Sequence, residues 1–167
     1  MILAIDPGLR ACGVAWFEKE RLVRAALISV PKMENDAAAF LEMANAVYIA
    51  SPEIVSLAIE YPQQYKNSPV PRESVQKLVG VIGALSVKFS GAKTTYYLPR
   101  QWKGQVPKPV MQRRILARLD GDEQALIPKL PVSKLHNVFD GIGIGLHHIG
   151  RLKRARRTRT FRKDSRR

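Results

Sequence analysis

Residues 2–17, Ile2-Leu3-Ala4-Ile5-Asp6-Pro7-Gly8-Leu9-Arg10-Ala11-Cys12-Gly13-Val14-Ala15-Trp16-Phe17, decide how this chain folds. An apolar run, 2–5, ends on an acid, Asp6, and Pro7-Gly8 then turns the chain. A second apolar run, 12–17, follows at once, and a third, 21–29, comes after the charged turn Glu18-Lys19-Glu20. Short runs joined by tight turns predict a three-stranded antiparallel meander.

Beyond the meander the periodicity changes. Residues 35–50 predict a helix capped by Asn35, with Phe40, Ala44, Val47 and Tyr48 as its apolar stripe. Residues 54–60 are a continuous apolar run that again ends on an acid, Glu60, which predicts a strand covered on both faces. A polar stretch with three prolines, 61–73, reads as a long loop. Val75, Leu78, Val79, Ile82, Ser86 and Phe89 then mark a helix over 74–89, and 94–98 a short strand. A basic loop, 99–109, precedes two short helices at 110–119 and 122–127. The last helix is expected to be capped by Ser133 and carries Leu135, Val138, Ile142, Leu146 and Ile149 on one stripe. Gly141, Gly143 and Gly145 weaken it by roughly 1 kcal/mol each, which makes sense if its backbone lies tight against a sheet. The order predicts an α/β fold: a mixed five-stranded sheet, antiparallel meander first, flanked by helices.

The chain has 167 residues, 46% hydrophobic and 25% charged, which fits one globular domain. It holds no apolar run near the ~20 residues a membrane helix needs and no signal-peptide pattern, so no membrane partner is expected. A lone cysteine, Cys12, rules out an intramolecular disulfide and a cysteine zinc site, and makes a reducing cytosolic setting the default. A bacterial, phage or plasmid source suits a chain this compact. The net charge is +14, and residues 151–167 hold ten Lys/Arg against Asp164 alone, or +9 of that total. The expected division is therefore 1–150 as the folded domain and 151–167 as a basic tail. A pI near 10.3 points to a polyanion, with nucleic acid first.

Against that charge stand three acids: Asp6 and Glu60 at strand ends, and Asp140 in an otherwise apolar helix. Burying acids costs desolvation energy unless partners offset it. A divalent metal would serve all three, and a metal site in a very basic protein points to phosphodiester chemistry. Two of the acids have an ordinary alternative: Asp6 as a turn residue before Pro-Gly, Glu60 as a strand-end acid paired with a lysine.

The stretches AIDPGLRACGVAW (4–16), LAIEYPQQ (57–64) and HNVFDGIGIGLHHIG (136–150), in that order, resemble the ribonuclease H-like superfamily, and within it RuvC-type Holliday-junction resolvases. The resemblance covers about residues 1–150; the basic tail lies outside it. It implies a homodimeric endonuclease that nicks branched DNA, leaving 5′-phosphate and 3′-hydroxyl ends. It also implies two Mg²⁺ per active site, with Mn²⁺ as a substitute. Asp6 would bridge the metals, with Glu60 on one and Asp140 on the other. Two such ions can clamp a phosphate, activate water and stabilise the leaving oxygen, and carboxylates suit Mg²⁺.

The chain departs from the family pattern at the fourth ligand. An acid or histidine is usual three residues before the final Asp, and Asn137 stands there. His136 and Asn137 both lie one turn before Asp140 on its helix face. His136, preferred, would ligate or face the phosphate; Asn137 would ligate through its carbonyl oxygen. An isolated histidine is more often simply hydrogen-bonded. His147 and His148 read as packing or phosphate contacts.

Resolvases of this type also wedge an aromatic from the loop after the Glu into the junction. Here Gln63 occupies that place, and Tyr65, next to Lys66, is the substitute, with a surface tyrosine as the alternative. Arg100, Lys103, Lys108, Arg113 and Arg114 surround Trp102 and read as backbone contacts, joined by Arg154, Arg156 and Arg157 of the tail. Lys103 or Lys108 is placed to reach the scissile phosphate. The alternative makes Trp102 core and the lysines solvated. Rival functions are a flap nuclease or RNA–DNA hybrid ribonuclease on the same fold, and a non-catalytic basic nucleic-acid-binding protein.

Overall fold

The computed structural model describes residues 1–51, 53–64 and 71–152. Tyr65, Lys66, Arg154, Arg156 and Arg157 lie outside the described residues. The chain runs β1 (Ile2–Asp6), β2 (Ala11–Glu18), β3 (Arg21–Ser29), α1 (Asp36–Ile49), β4 (Ser56–Glu60), α2 (Arg72–Lys88), β5 (Lys93–Tyr97), α3 (Pro99–Trp102), α4 (Lys108–Leu116), α5 (Gly121–Ala125) and α6 (Val132–His148).

The five strands form one mixed sheet in the order β3-β2-β1-β4-β5. The meander is antiparallel, and β4 and β5 add in parallel to β1. Two residues, Lys19 and Glu20, make the β2–β3 turn, both at positive φ (46° and 66°). That backbone follows the twist of the paired strands but costs about 1 kcal/mol or more per non-glycine residue.

Alternation along the strands sorts the core in two. Leu3, Ile5, Leu57 and Ile59 face α1 and α2, with Met43, Val47, Ile82 and Leu85. Ala4, Ala15 and Ala58 face α6, with Val138, Ile142 and Leu146. The α6 side of the sheet is lined with small residues, and that sets how near the helix comes. A Cβ on Gly13 would lie 1.8 Å from the Asn137 carbonyl oxygen, and one on Gly141 would lie 2.7 Å from the Gly13 oxygen. Strand β2 and helix α6 thus touch backbone to backbone, as the glycine-rich helix predicts.

Several local expectations shift. Asn35 caps α1 by accepting from Ala38 N at 2.9 Å, but α6 begins two residues earlier than expected, with Pro131 at its cap position and no side-chain cap. Ser133 lies inside that helix. On α1, Ala39 and Met43 are buried and Tyr48 is half exposed; on α2, Val81 and Leu85 are buried and Val79 is not. Both helices pack on each other as well as on the sheet, which rotates the buried face away from the stripe read by spacing. The basic loop after β5 contains one helical turn, α3.

Candidate active site

Side-chain alternation sends Asp6, two residues past Ala4, and Glu60, two past Ala58, to the α6 side of the sheet. The parallel register ends at Ile5 opposite Ile59, so the two acids are the next residues of neighbouring strands. Helix α6, held close by the glycine seam, supplies Asp140. Helix α3 supplies Trp102 and, at its C-cap, Lys103.

These residues meet. Trp102 Nε1 donates to Glu60 Oε2 at 2.7 Å. The Lys103 ammonium lies 3.1 Å from Glu60 Oε2 and 3.1 Å from Asp140 Oδ2, and sits 4.7 Å from the centre of the Trp102 ring. Burial pushes the Asp6 carboxyl well above the usual carboxylate range, and the charges of Glu60 and Asp140 push it further, against the pull of Lys103 and Lys108. Burial also raises Glu60, although Lys103 and the Trp102 hydrogen bond oppose it. Burial pulls Lys103 down, but Glu60 and Asp140 outweigh it and hold the ammonium charged. The site has more negative charge than its own cations satisfy.

The structure therefore brings together Asp6, Glu60, Asp140 and Lys103, and puts Lys108 within electrostatic reach of Asp6. Two ordinary alternatives are partly realised: Glu60 does pair with a lysine, and Trp102 is buried. Trp102 is also a site residue, because its buried indole aims its one donor at Glu60. The sequence marked the Trp but not that role. His136 and Asn137 are half-buried one turn before Asp140. Asn137 meets Gly13 through its backbone carbonyl. His147 stacks edge-on against Tyr97, and His148 is hydrogen-bonded to Tyr97 (2.9 Å) and Ser56 (3.1 Å). Tyr61 packs edge-on against Tyr96. Arg100, Arg113 and Arg114 are exposed. Arg114 and Arg118 line a cavity of about 390 Å³ together with Trp102 and Met111.

Among the described residues, no three His, Cys, Asp or Glu side chains converge as a ready metal cluster. The donor chemistry still fits a divalent ion. Asp6 feels both other acids, and an ammonium already stands where a cation would sit between two of them. Glu60, Asp140 and Asp6 would hold it, once Lys103 withdraws.

A second acid cluster was missed by sequence reading. Glu123, 1% exposed, accepts from Arg151 at 2.6 and 2.7 Å, from Leu22 N at 2.8 Å and from Asp120 N at 3.0 Å. Arg151 also donates to the carbonyls of Glu20 (2.8 Å) and Arg118. The Asp-x-x-Glu capping box at 120–123 was the available signal. Arg151, read as the first residue of the tail, is fastened to the folded body.

No protein-family model and no curated protein matches the chain by sequence. Solved structures match by shape. Thermus thermophilus RuvC, in complex with a Holliday junction substrate, aligns at TM-score 0.66 and 19% identity over 89% of this chain and 92% of that one. The yeast mitochondrial Holliday junction resolvase aligns at 0.59 and 10% identity, over 86% and 75%. The fowlpox virus resolvase, also with Holliday junction DNA, aligns at 0.51 and 14%, over 89% and 97%. With its five-stranded mixed sheet and the order of its helices, this chain has the RuvC-type resolvase fold.

Proposed function

We propose that this chain is a divalent-metal-dependent endonuclease that resolves four-way DNA junctions as a homodimer, leaving 5′-phosphate and 3′-hydroxyl ends. One observation carries the reading: Glu60 and Asp140 share the Lys103 ammonium, with the buried Asp6 within electrostatic reach of both acids, in a chain of net charge +14. A protein that only bound nucleic acid would gain nothing from under-neutralised carboxylates facing phosphate. The fold, shared with resolvases solved on Holliday junctions, supports four-way DNA as the substrate.

Mg²⁺ or Mn²⁺ ions, two per site, would supply a nucleophilic hydroxide and charge stabilisation at the phosphate. Asp6, Glu60 and Asp140 would hold them, with His136 or Asn137 as the fourth ligand. Trp102 fixes Glu60 by its hydrogen bond, so that carboxylate meets its partner already oriented. Lys108, Arg100, Arg113 and Arg114 would take the DNA backbone, and Tyr65 would stack at the junction. Selectivity would come from junction shape and dimer geometry.

The test is an end-labelled four-way junction incubated with protein in Mg²⁺, beside flap, RNA–DNA hybrid and linear duplex controls. Paired symmetric nicks, abolished by Asp6→Asn with junction binding intact, are expected. Tight binding with no cleavage in Mg²⁺ or Mn²⁺ would overturn the reading, and preferential cleavage of the hybrid or flap would reassign the substrate.

A further inference from the structure

Glu60 and Asp140 share one cation, and the chain itself provides it. Lys103 Nζ stands 3.1 Å from an oxygen of each. The group is largely shielded: the side chains of Lys103, Glu60 and Asp140 are 25%, 14% and 19% exposed. Shielding makes the attraction stronger than in an exposed pair, and equally strengthens the repulsion the two acids would suffer without it. Trp102 holds the arrangement from below, bonded to Glu60 and facing the ammonium. A metal ion between Glu60 and Asp140 and the Lys103 ammonium cannot share that position, because like charges in one shielded site repel.

We propose that Lys103 is the resident counter-cation of the Glu60–Asp140 pair, expelled when a divalent ion loads and then received by the nucleic-acid phosphate. The proposal rests on the metal-dependent reading above and deepens it. Lys103 keeps the acids together while no metal is bound. Its departure costs an ion pair, so loading is weak in the protein alone. A phosphate gives the expelled ammonium a new anion, so nucleic acid and metal each strengthen the binding of the other, by the same factor. Lys103 acts here as a positioning residue and a competitor.

The experiment uses the full chain, Mn²⁺ alone as the probe, and a pH well above the carboxylate range, with free Mn²⁺ read by electron paramagnetic resonance. Lys103→Met is expected to bind Mn²⁺ at least about tenfold more tightly than the natural chain, equivalent to about 1.4 kcal/mol. Lys103→Arg, which keeps the charge, should bind as weakly as the natural chain. Adding a four-way junction should tighten Mn²⁺ binding to the natural chain, after subtraction of what the DNA binds, and do so far less for Lys103→Met. Lys103→Gln repeats the comparison should the methionine variant fail to fold. Equal or weaker Mn²⁺ binding by the uncharged variants, with binding still lost in Asp6→Asn, overturns this proposal and leaves the metal reading standing. No binding above Asp6→Asn by any of them removes both.

Discussion

The Glu123 cluster and the Asp6–Glu60–Asp140 cluster are built from the same materials and end in opposite states. Glu123 receives two guanidinium nitrogens and two backbone N–H groups. The Arg151 bonds outweigh its burial and bring its carboxyl down to about 2. At the other site Glu60 and Asp140 share one ammonium, and burial drives Asp6 and Glu60 up. One cluster is satisfied and serves the fold: it ties α5 and the end of the described chain to the β2–β3 turn, whose strained Glu20 carbonyl Arg151 holds. The other is left short of positive charge, which is what the proposed metal site requires. Burial alone does not separate a structural acid from a functional one; the number of donors aimed at it does.

The comparison can be broken by mutation. The largest effect is expected at the unsatisfied cluster: Asp6→Asn or Asp140→Asn should lower junction cleavage by at least about 10³-fold, while metal-free melting temperature holds or rises. A large fall in stability in either would show that these acids support the fold. The reverse pattern is expected of Glu123→Gln. Losing a carboxylate shifted from 4.5 to about 2 removes about 3 kcal/mol, or roughly 10 °C in melting temperature, with cleavage per folded molecule unchanged.

The pH dependence sharpens the same contrast, with opposite signs. Glu123 is depressed in the folded state, so its contribution is full above about 4.5 and is lost as pH falls toward about 2. Acid unfolding of Glu123→Gln should therefore be flatter through that window. Asp6 and Glu60 are raised, so metal-free stability declines as pH climbs from the ordinary carboxylate range through their folded values. Asp6→Asn should blunt that decline, by a few degrees in a melting series run in chelator. An unchanged series would mean that Lys103 neutralises the cluster more fully than the geometry implies.

The sequence carried the architecture well because two periodicities do not overlap. The runs at 2–6, 12–17, 21–29 and 54–60 could pair only as strands, and the glycines of α6 foretold close packing on the sheet. Helix faces were less legible. Val79 is on the solvent side and Val81 is buried because α1 and α2 pack on each other, which spacing along one helix cannot reveal. The acids were visible because they interrupt apolar runs. Lys103 was legible as a candidate phosphate contact, but its pairing with Glu60 and Asp140 and the Trp102 bond to Glu60 were not, since the turn of helix that aims them depends on Pro99 following β5. Glu123 and Arg151 escaped altogether: they stand about thirty residues apart in polar surroundings, and only the fold joins them.

The parallel pairing of β1 with β4, and the seating of α6 across β1 and β2, have a consequence for the newly made chain. Asp6 emerges from the ribosome before Glu60, and Glu60 well before Asp140. A chain whose synthesis has not reached α6 can therefore display at most two of the three carboxylates. Completion of the cluster waits on α6, so its assembly is timed by synthesis itself.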